Sequence, residues 1–264
     1  MYNYIHVIVT DFKPYDPSNK NARTPAANHP FKVRDDQKKL LESLAQLFHT
    51  FTAPALFSTK RSGPDIHTAV AFITTRVLCP DDDDWINLVR LIRYLRATLT
   101  LPLILSADST NIVKWWVHGS FGVHPGTRSQ TPPHMERDPS FQRQFKKLNT
   151  SISTETELVA ADYLMPHLCW TNYFLKNQGY DINSTVMYQD NQSAILLENN
   201  GRSSSSRRTK HLNIRYFFIT DRIKKGELRI EYCPTDDMVA DFFTKPLQGK
   251  KFIQFRKIIM NLKE

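Results

Sequence analysis

The chain has 264 residues, a formal net charge of +9, 41% hydrophobic and 23% charged residues, which is ordinary for a globular protein of one large domain or two small ones. No run approaches the roughly 18 apolar residues of a membrane span, and "MYNYIHVIVTDF" is too short, too alternating and too poor in basic residues for a signal peptide. Three scattered cysteines, Cys79, Cys169 and Cys233, lack metal-ligand spacing and read as free thiols of a reducing compartment.

Residues 1–33 read as an extended or disordered lead-in, because "PYDPSNKNARTPAANHP" is rich in Pro and Asn. A helical segment over 34–100 follows. "DDQKKLLESLAQLF" sets Leu40, Leu41, Leu44 and Leu47 at helical spacing, and "GPDIHTAVAFITTRVL" starts a helix at Pro64-Asp65. "DDDDWINLVRLIRYLRATL" puts Leu88, Leu91, Ile92 and Leu95 on one face. Its aspartates, Asp81 to Asp84, invite a metal reading, but carboxylates facing a helix N-terminus explain them better.

From residue 101 the pattern becomes mixed α/β, with strands and then strands alternating with helices. "PLILSAD" and "IVKWWVH" read as strands, and "NIVKWWVHGSF" reads as a buried strand that delivers one polar group, His118, to an exposed end. Residues 122–148, "TPPHMERDPSFQRQF" among them, have no alternating pattern and read as a loop. "STETELVAADYLMPHLCWTNYFLKNQG" is a helix with a capping box from Thr154 to Glu157, and Pro166 should kink or divide it. "STVMYQD" is a strand ending at Asp190, "NQSAILLENNG" a helix closed by Gly201, and "ELRIEYCP" a strand. "TDDMVADFFTKPLQ", capped by Thr235, and "KKFIQFRKIIMNL" are the last helices.

Charge is unevenly placed: residues 201–264 hold 15 Lys/Arg against 7 Asp/Glu. A basic face fits a polyanionic partner, nucleic acid before membrane; a merely solvated surface is the plainer alternative. Arg207, Arg208, Lys210, His211, Arg215 and Arg222 lie in or beside the basic helix "RRTKHLNIRYFFITDRIKKG", with Arg208, Arg215 and Arg222 seven residues apart. The acids at informative places are Glu157 in a first helical turn, Asp190 at a strand end and Asp241 in "MVADFFTKPL". Each has an ordinary capping role. Converging, they could bind Mg²⁺, which takes oxygen ligands.

These stretches carry a resemblance. "YQDNQSAILLENNG", "RTKHLNIRYFFI" and "ADFFTKPL", in this order, closely resemble the ribonuclease H region at the end of copia-type LTR retrotransposon polyproteins. "LNTSISTETELVAAD" resembles the family's acidic helix, and "KWWVHGSF" resembles the strand that in the family ends in an aspartate. Upstream, "FHTFTAPALFSTKRSGPDIHTAVAFITTRV" resembles the connection to the polymerase part. The resemblance covers about residues 25–264. It implies a ribonuclease H-like mixed sheet flanked by helices over 101–264. It also implies Glu157, Asp190 and Asp241 as three of four carboxylates holding two Mg²⁺ ions, and cleavage of RNA in RNA–DNA hybrids. A polyprotein remainder and a cytoplasmic virus-like particle, with the nucleus as alternative, are the implied setting.

The sequence departs from the family at three places. The fourth carboxylate position holds His118, a poor ligand for Mg²⁺, so cleavage should be impaired, and an inactive nucleic-acid-binding relic or a pseudogene product is the competing reading. No Y-x-D-D-like strand pair is found, so polymerase activity is not expected of this chain alone, and the integrase and protease regions are missing too. Where the family has a Gly-rich hairpin, residues 122–148 are degenerate, which reads as a compensated pair of frameshifts. Translating that coding stretch in its other two frames should restore a Gly-rich hairpin; finding none there discards the frameshift.

Overall fold

The computed structural model describes residues 1–18, 20–27, 33–34, 36–105, 110–119, 153–201 and 213–262, with the side chains of all these except 153 and 213–217. In chain order the elements are α1 (Tyr2–Phe12), α2 (Glu42–Thr59), α3 (His67–Thr74), α4 (Asp82–Ala97), β1 (Ile112–Trp116), α5 (Ser153–Asn177), β2 (Ser184–Gln189), α6 (Gln192–Asn200), α7 (Asn213–Lys224), β3 (Arg229–Tyr232), α8 (Asp241–Thr244) and α9 (Gly249–Ile259). They belong to two compact units. The first takes the described residues of Met1–Ser106 and Lys245–Glu264, the second those of Ala107–Val123 and Gln144–Thr244. Among the described residues no helix is long and apolar enough to cross a membrane.

The first unit is helical. Its opening segment is not the extended lead-in that its composition implies, since Tyr2–Phe12 is a helix. The β-branched residues of α1 are mediocre helix formers, and long-range packing decides the outcome. Ile8 and Phe12, one helical turn apart, are buried, and Phe12 meets Phe51 edge-on at 4.9 Å and Trp85 at 5.7 Å. Asp16, just beyond, accepts two hydrogen bonds from Arg93 on α4, at 2.7 and 2.9 Å. That bidentate bond holds its carboxyl well below the usual range.

The acid run is a helix start. The Asp81 side chain accepts from the Asp84 N–H, the Asp84 side chain accepts from the Asp81 N–H, and Arg76 bridges both carboxylates. Burial still pushes Asp84 up to about 6. Leu88, Leu91, Ile92 and Leu95 line the buried face of α4, as their spacing requires.

The last helix packs in this first unit, whereas the sequence reading grouped it with 101–264. Its buried face is Phe252 and Phe255. Gln248, at its N-cap, accepts from the Thr24 hydroxyl at 2.9 Å and donates to the Ala26 carbonyl at 2.8 Å. Arg256 donates to the Tyr94 hydroxyl, which donates to the buried Asp65 carboxylate at 2.5 Å. The described part of the stretch expected as a first strand goes the same way, its residues 106–108 lying outside the described residues. Residues 101–105 form no strand, and the Ile104 N–H donates to the Met260 carbonyl at the end of α9.

The second unit is mixed α/β around an open sheet of order β1-β2-β3, all parallel. The central strand is the most buried, with Thr185, Val186 and Met187 covered, as a strand flanked on both sides should be. Side chains alternate across the sheet: Trp115 and Val117 enter a core with Ala161, Met165 and Leu168 of α5, Met187 of β2 and Ile219 of α7, while Trp116 stacks on its register partner Tyr188 at 5.2 Å. Helix α5 runs unbroken through Pro166. The proline lies on the exposed side of the helix, where a missing N–H costs least. Asn191 caps α6 and Gly201, at φ 57°, closes it. The expected helix after Thr235 is only the four residues of α8, preceded by turns. The 122–148 region lies outside the described residues.

The Asp65 bond gives a test. Replacing Tyr94 by Phe leaves a buried carboxyl without its donor, so the first unit should lose about 1–3 kcal/mol. Urea denaturation followed by helical ellipticity should show that unit's transition at lower urea; an unmoved transition would mean that Asp65 is satisfied otherwise.

Candidate metal centre

The site is assembled at the C-terminal ends of β1 and β2. Trp116 pairs with Tyr188 as the last register partners of these strands. Two residues further along each chain stand His118 and Asp190, so the parallel register itself sets them side by side. The Val117 N–H donating to the Tyr188 carbonyl at 3.0 Å keeps the chains paired past the last ladder residue. Gln189, fully buried, accepts from the Asp190 and Asn191 N–H groups through its side-chain oxygen, at 2.9 and 3.2 Å. That fold-back fixes the chain where Asp190 leaves the sheet.

Glu157 comes from α5. Leu158, one residue on, is buried with Ala194 and Leu197 of α6, while Ala161, Met165 and Leu168 pack on the sheet. With that stripe fixed, the first turn of α5 lies over the end of β1. Glu157 therefore does not close the capping box expected of it. Its helix already begins at Ser153, and its Oε2 accepts the Gly119 N–H at 2.7 Å. Gly119 has to be glycine for this approach. A Cβ there would lie 2.7 Å from the Thr156 carbonyl oxygen and 2.8 Å from its carbon, both backbone atoms of α5. Asp241, the first residue of α8, is buried and closes the group from the other side.

The His118 imidazole lies among these acids. Nδ1 is 3.2 Å from Glu157 Oε1 and 3.8 Å from Asp190 Oδ1, and Nε2 is 3.6 Å from Asp241 Oδ1. The Thr235 hydroxyl, expected to cap a helix, is 3.5 Å from Asp190 Oδ2. Glu157, Asp190 and Asp241 are thus brought together around His118. One ligand atom each of His118, Glu157 and Asp190 can be chosen so that all lie within 4.8 Å of one another, a grouping able to hold a metal ion. The donor set does not fit a pair of Mg²⁺ ions. Magnesium takes hard oxygen ligands in near-octahedral arrangement, and here an imidazole stands between the carboxylates.

Two further residues of the site carried no signal in the sequence reading. Cys233, buried after β3, has its thiol pushed up by burial and then by the charges of Asp237, Asp190 and Asp241. Glu198 of α6 is fully buried, and neither carboxylate oxygen has a hydrogen-bond partner among the described residues. Burial, then the Glu157 charge, pushes it up to about 8. An acid in an otherwise apolar helix face gives no warning by spacing.

Of the basic residues, Arg207, Arg208, Lys210 and His211 lie outside the described residues, and Arg215 lies on α7 with its side chain undescribed. Arg222 is held by the Glu227 carboxylate, both oxygens at 3.1 Å, with its guanidinium 4.8 Å from the Phe218 ring centre.

The chain is 27% identical over 200 residues to the retrovirus-related Pol polyprotein from transposon TNT 1-94 of Nicotiana tabacum. By sequence this chain is similar to the Pol polyproteins of copia-type retrotransposons. Those of transposons RE2 and RE1 of Arabidopsis thaliana are 27% and 26% identical over 201 and 197 residues. The matches cover 74%, 74% and 73% of the chain but 15%, 14% and 13% of the relatives, so the chain spans about a seventh of the length of the curated relatives it matches. No family model matches the chain, and no solved structure matches it.

Glu198 predicts a pH dependence. Its folded value, about 8, lies above the ordinary 4.5, so the folded state binds the extra proton between these values. Its contribution is fully present below about 4.5 and is lost as pH rises through about 8. Glu198→Gln, which mimics the protonated acid, should therefore stabilise the second unit by about 1–3 kcal/mol above pH 8, with the gain vanishing near pH 4.5. Denaturation followed by tryptophan emission at several pH values checks this; a gain independent of pH would refute it.

Proposed function

We propose that the second unit is a ribonuclease H-like domain of a copia-type Pol polyprotein, descended from an enzyme that cuts RNA in RNA–DNA hybrids with two Mg²⁺ ions. In this chain that activity is impaired. Glu157, Asp190 and Asp241 are the carboxylates that would have held the metals, and His118 stands where the fourth is expected.

One observation carries the reading: the His118 ring lies within 3.2–3.8 Å of all three acids. A residue that merely ended a strand would have no reason to be surrounded by carboxylates from a second strand and two helices. The parallel order β1-β2-β3, with the acids at the strand ends, supports the same reading, since open parallel sheets carry their sites there. The relatives' printed description as Pol polyproteins supports the setting. An imidazole in place of a carboxylate removes one negative charge from a site that must balance two divalent cations. The polyprotein remainder, and a cytoplasmic particle as the place of work, belong to the same proposal.

A second reading, a hybrid-binding relic without catalysis, draws on the same histidine and on the basic surplus of residues 201–264. The two part in a cleavage assay on an RNA–DNA hybrid with Mg²⁺. The wild type should cleave at least ~100-fold more slowly than His118→Asp, since metal charge stabilisation is worth several kcal/mol. Adding Asp190→Asn to the His118→Asp variant should abolish the gain. Wild-type cleavage as fast as the variant's would overturn the impairment. No cleavage by either, with salt-dependent hybrid binding retained, would favour the relic.

A further inference from the structure

We propose that His118, Glu157 and Asp190 hold a single divalent ion of the zinc class, a borderline transition metal, in place of a magnesium pair. The inference rests on the reading of these acids as an inherited metal site and names the metal that this chain's own version would take.

The donor set is the first argument. One imidazole nitrogen with two carboxylates suits zinc and its neighbours, which accept nitrogen and oxygen together, and three protein ligands are the number that a zinc site with an open position uses. Spacing is the second. Ligand atoms about 2.0–2.2 Å from a tetrahedral ion lie about 3.3–3.6 Å from one another. His118 Nδ1 is 3.2 Å from Glu157 Oε1 and 3.8 Å from Asp190 Oδ1, and the three ligand atoms lie within 4.8 Å of one another, so side-chain shifts of about 1 Å would seat such an ion.

The third argument is that each ligand has an orienting neighbour on its far side. Asp241 Oδ1 lies 3.6 Å from Nε2, on the opposite edge of the ring from Nδ1. An ion on Nδ1 would leave the ring proton on Nε2, where the Asp241 carboxylate lies, with Glu157 and Asp190 on the metal side of the ring. This is the carboxylate–histidine–metal arrangement that fixes ring orientation and raises ligand basicity. The Gly119 N–H on Glu157 Oε2 leaves Oε1 toward the histidine. The Thr235 hydroxyl lies near Asp190 Oδ2, and Oδ1 faces Nδ1. Asp241 is then a positioning residue and not a ligand.

The test is calorimetric titration of the full chain with Zn²⁺ and, separately, Mg²⁺, together with the visible absorption spectrum of the Co²⁺-loaded protein. Wild type should take one equivalent of Zn²⁺ that millimolar Mg²⁺ does not displace. The Co²⁺ spectrum should show d–d bands without the intense near-ultraviolet band of thiolate ligation, which excludes the three cysteines. His118→Ala should weaken Zn²⁺ binding at least ~100-fold, and Asp241→Asn about 10–100-fold with the d–d bands shifted but retained. His118→Asp should gain Mg²⁺ binding. Zinc affinity unchanged in His118→Ala would overturn the proposal and assign the metal to other histidines of the nine in the chain. A wild type that binds no Zn²⁺ beside a His118→Asp that binds Mg²⁺ would overturn this inference alone. Binding of neither metal by either protein would overturn it together with the reading beneath it.

Discussion

Acids brought together in a buried space repel one another, and something positive has to stand among them. Two carboxylates about 4 Å apart cost about 4 kcal/mol at an effective dielectric of 20, and the second unit gathers Glu157, Asp190 and Asp241 around one ring. Each is delivered by an element whose own packing is apolar and fixed: α5 by its stripe on the sheet, β2 by its burial, α8 by the turns before it. The acids therefore cannot relax apart without unpacking the core. His118 stands where the three fields meet, and a metal ion held beside its ring would answer the demand.

The same constraint accounts for Gly119. The strand end has to come within touching distance of the α5 backbone so that its N–H can reach Glu157, and the absence of a side chain makes that approach possible. One residue supplies the ring and the next supplies the space, so the His-Gly pair acts as a unit. Glu198, one helix away, is a cost of the same crowding, since it is buried beside Glu157 and raised by that charge.

Much of this was legible in the sequence, and the reasons for success and failure are physical. Short local patterns read well where the structure is local: the Gly201 end of α6, the acidic start at Asp81–Asp84 and the apolar stripe of α4 all form as their residues require. The strand ending in Asp190 was legible because Val186, Met187 and Tyr188 form a short apolar run of β-favouring residues bounded by polar ones. The convergence of Glu157, Asp190 and Asp241 came from the family resemblance, as spacing alone does not bring separate elements together. What failed depended on distant partners. Helix α1 exists through Phe51 and Trp85, residues 101–105 are taken up by the end of α9 instead of by the sheet, and Glu157 prefers a backbone N–H across the chain to the cap of its own helix. Gly119 and Glu198 were invisible because their meaning lies in what sits beside them.

The path of the chain through the two units has a consequence for synthesis. The first unit is interrupted by the second and is completed only when Gln248 reaches Thr24 and Arg256 reaches Tyr94, contacts that span 224 and 162 positions. A ribosome releases every residue of the second unit before α9 emerges. The sheet unit can therefore be finished while the helices made ahead of it still lack a wall, with Tyr94 and its neighbours waiting for Phe252 and Phe255. During that interval the earlier helices hold apolar surface open to solvent, which is the condition in which nascent chains engage chaperones or one another. A premature stop between Thr244 and Gln248 would accordingly spare the site and ruin the unit that precedes it.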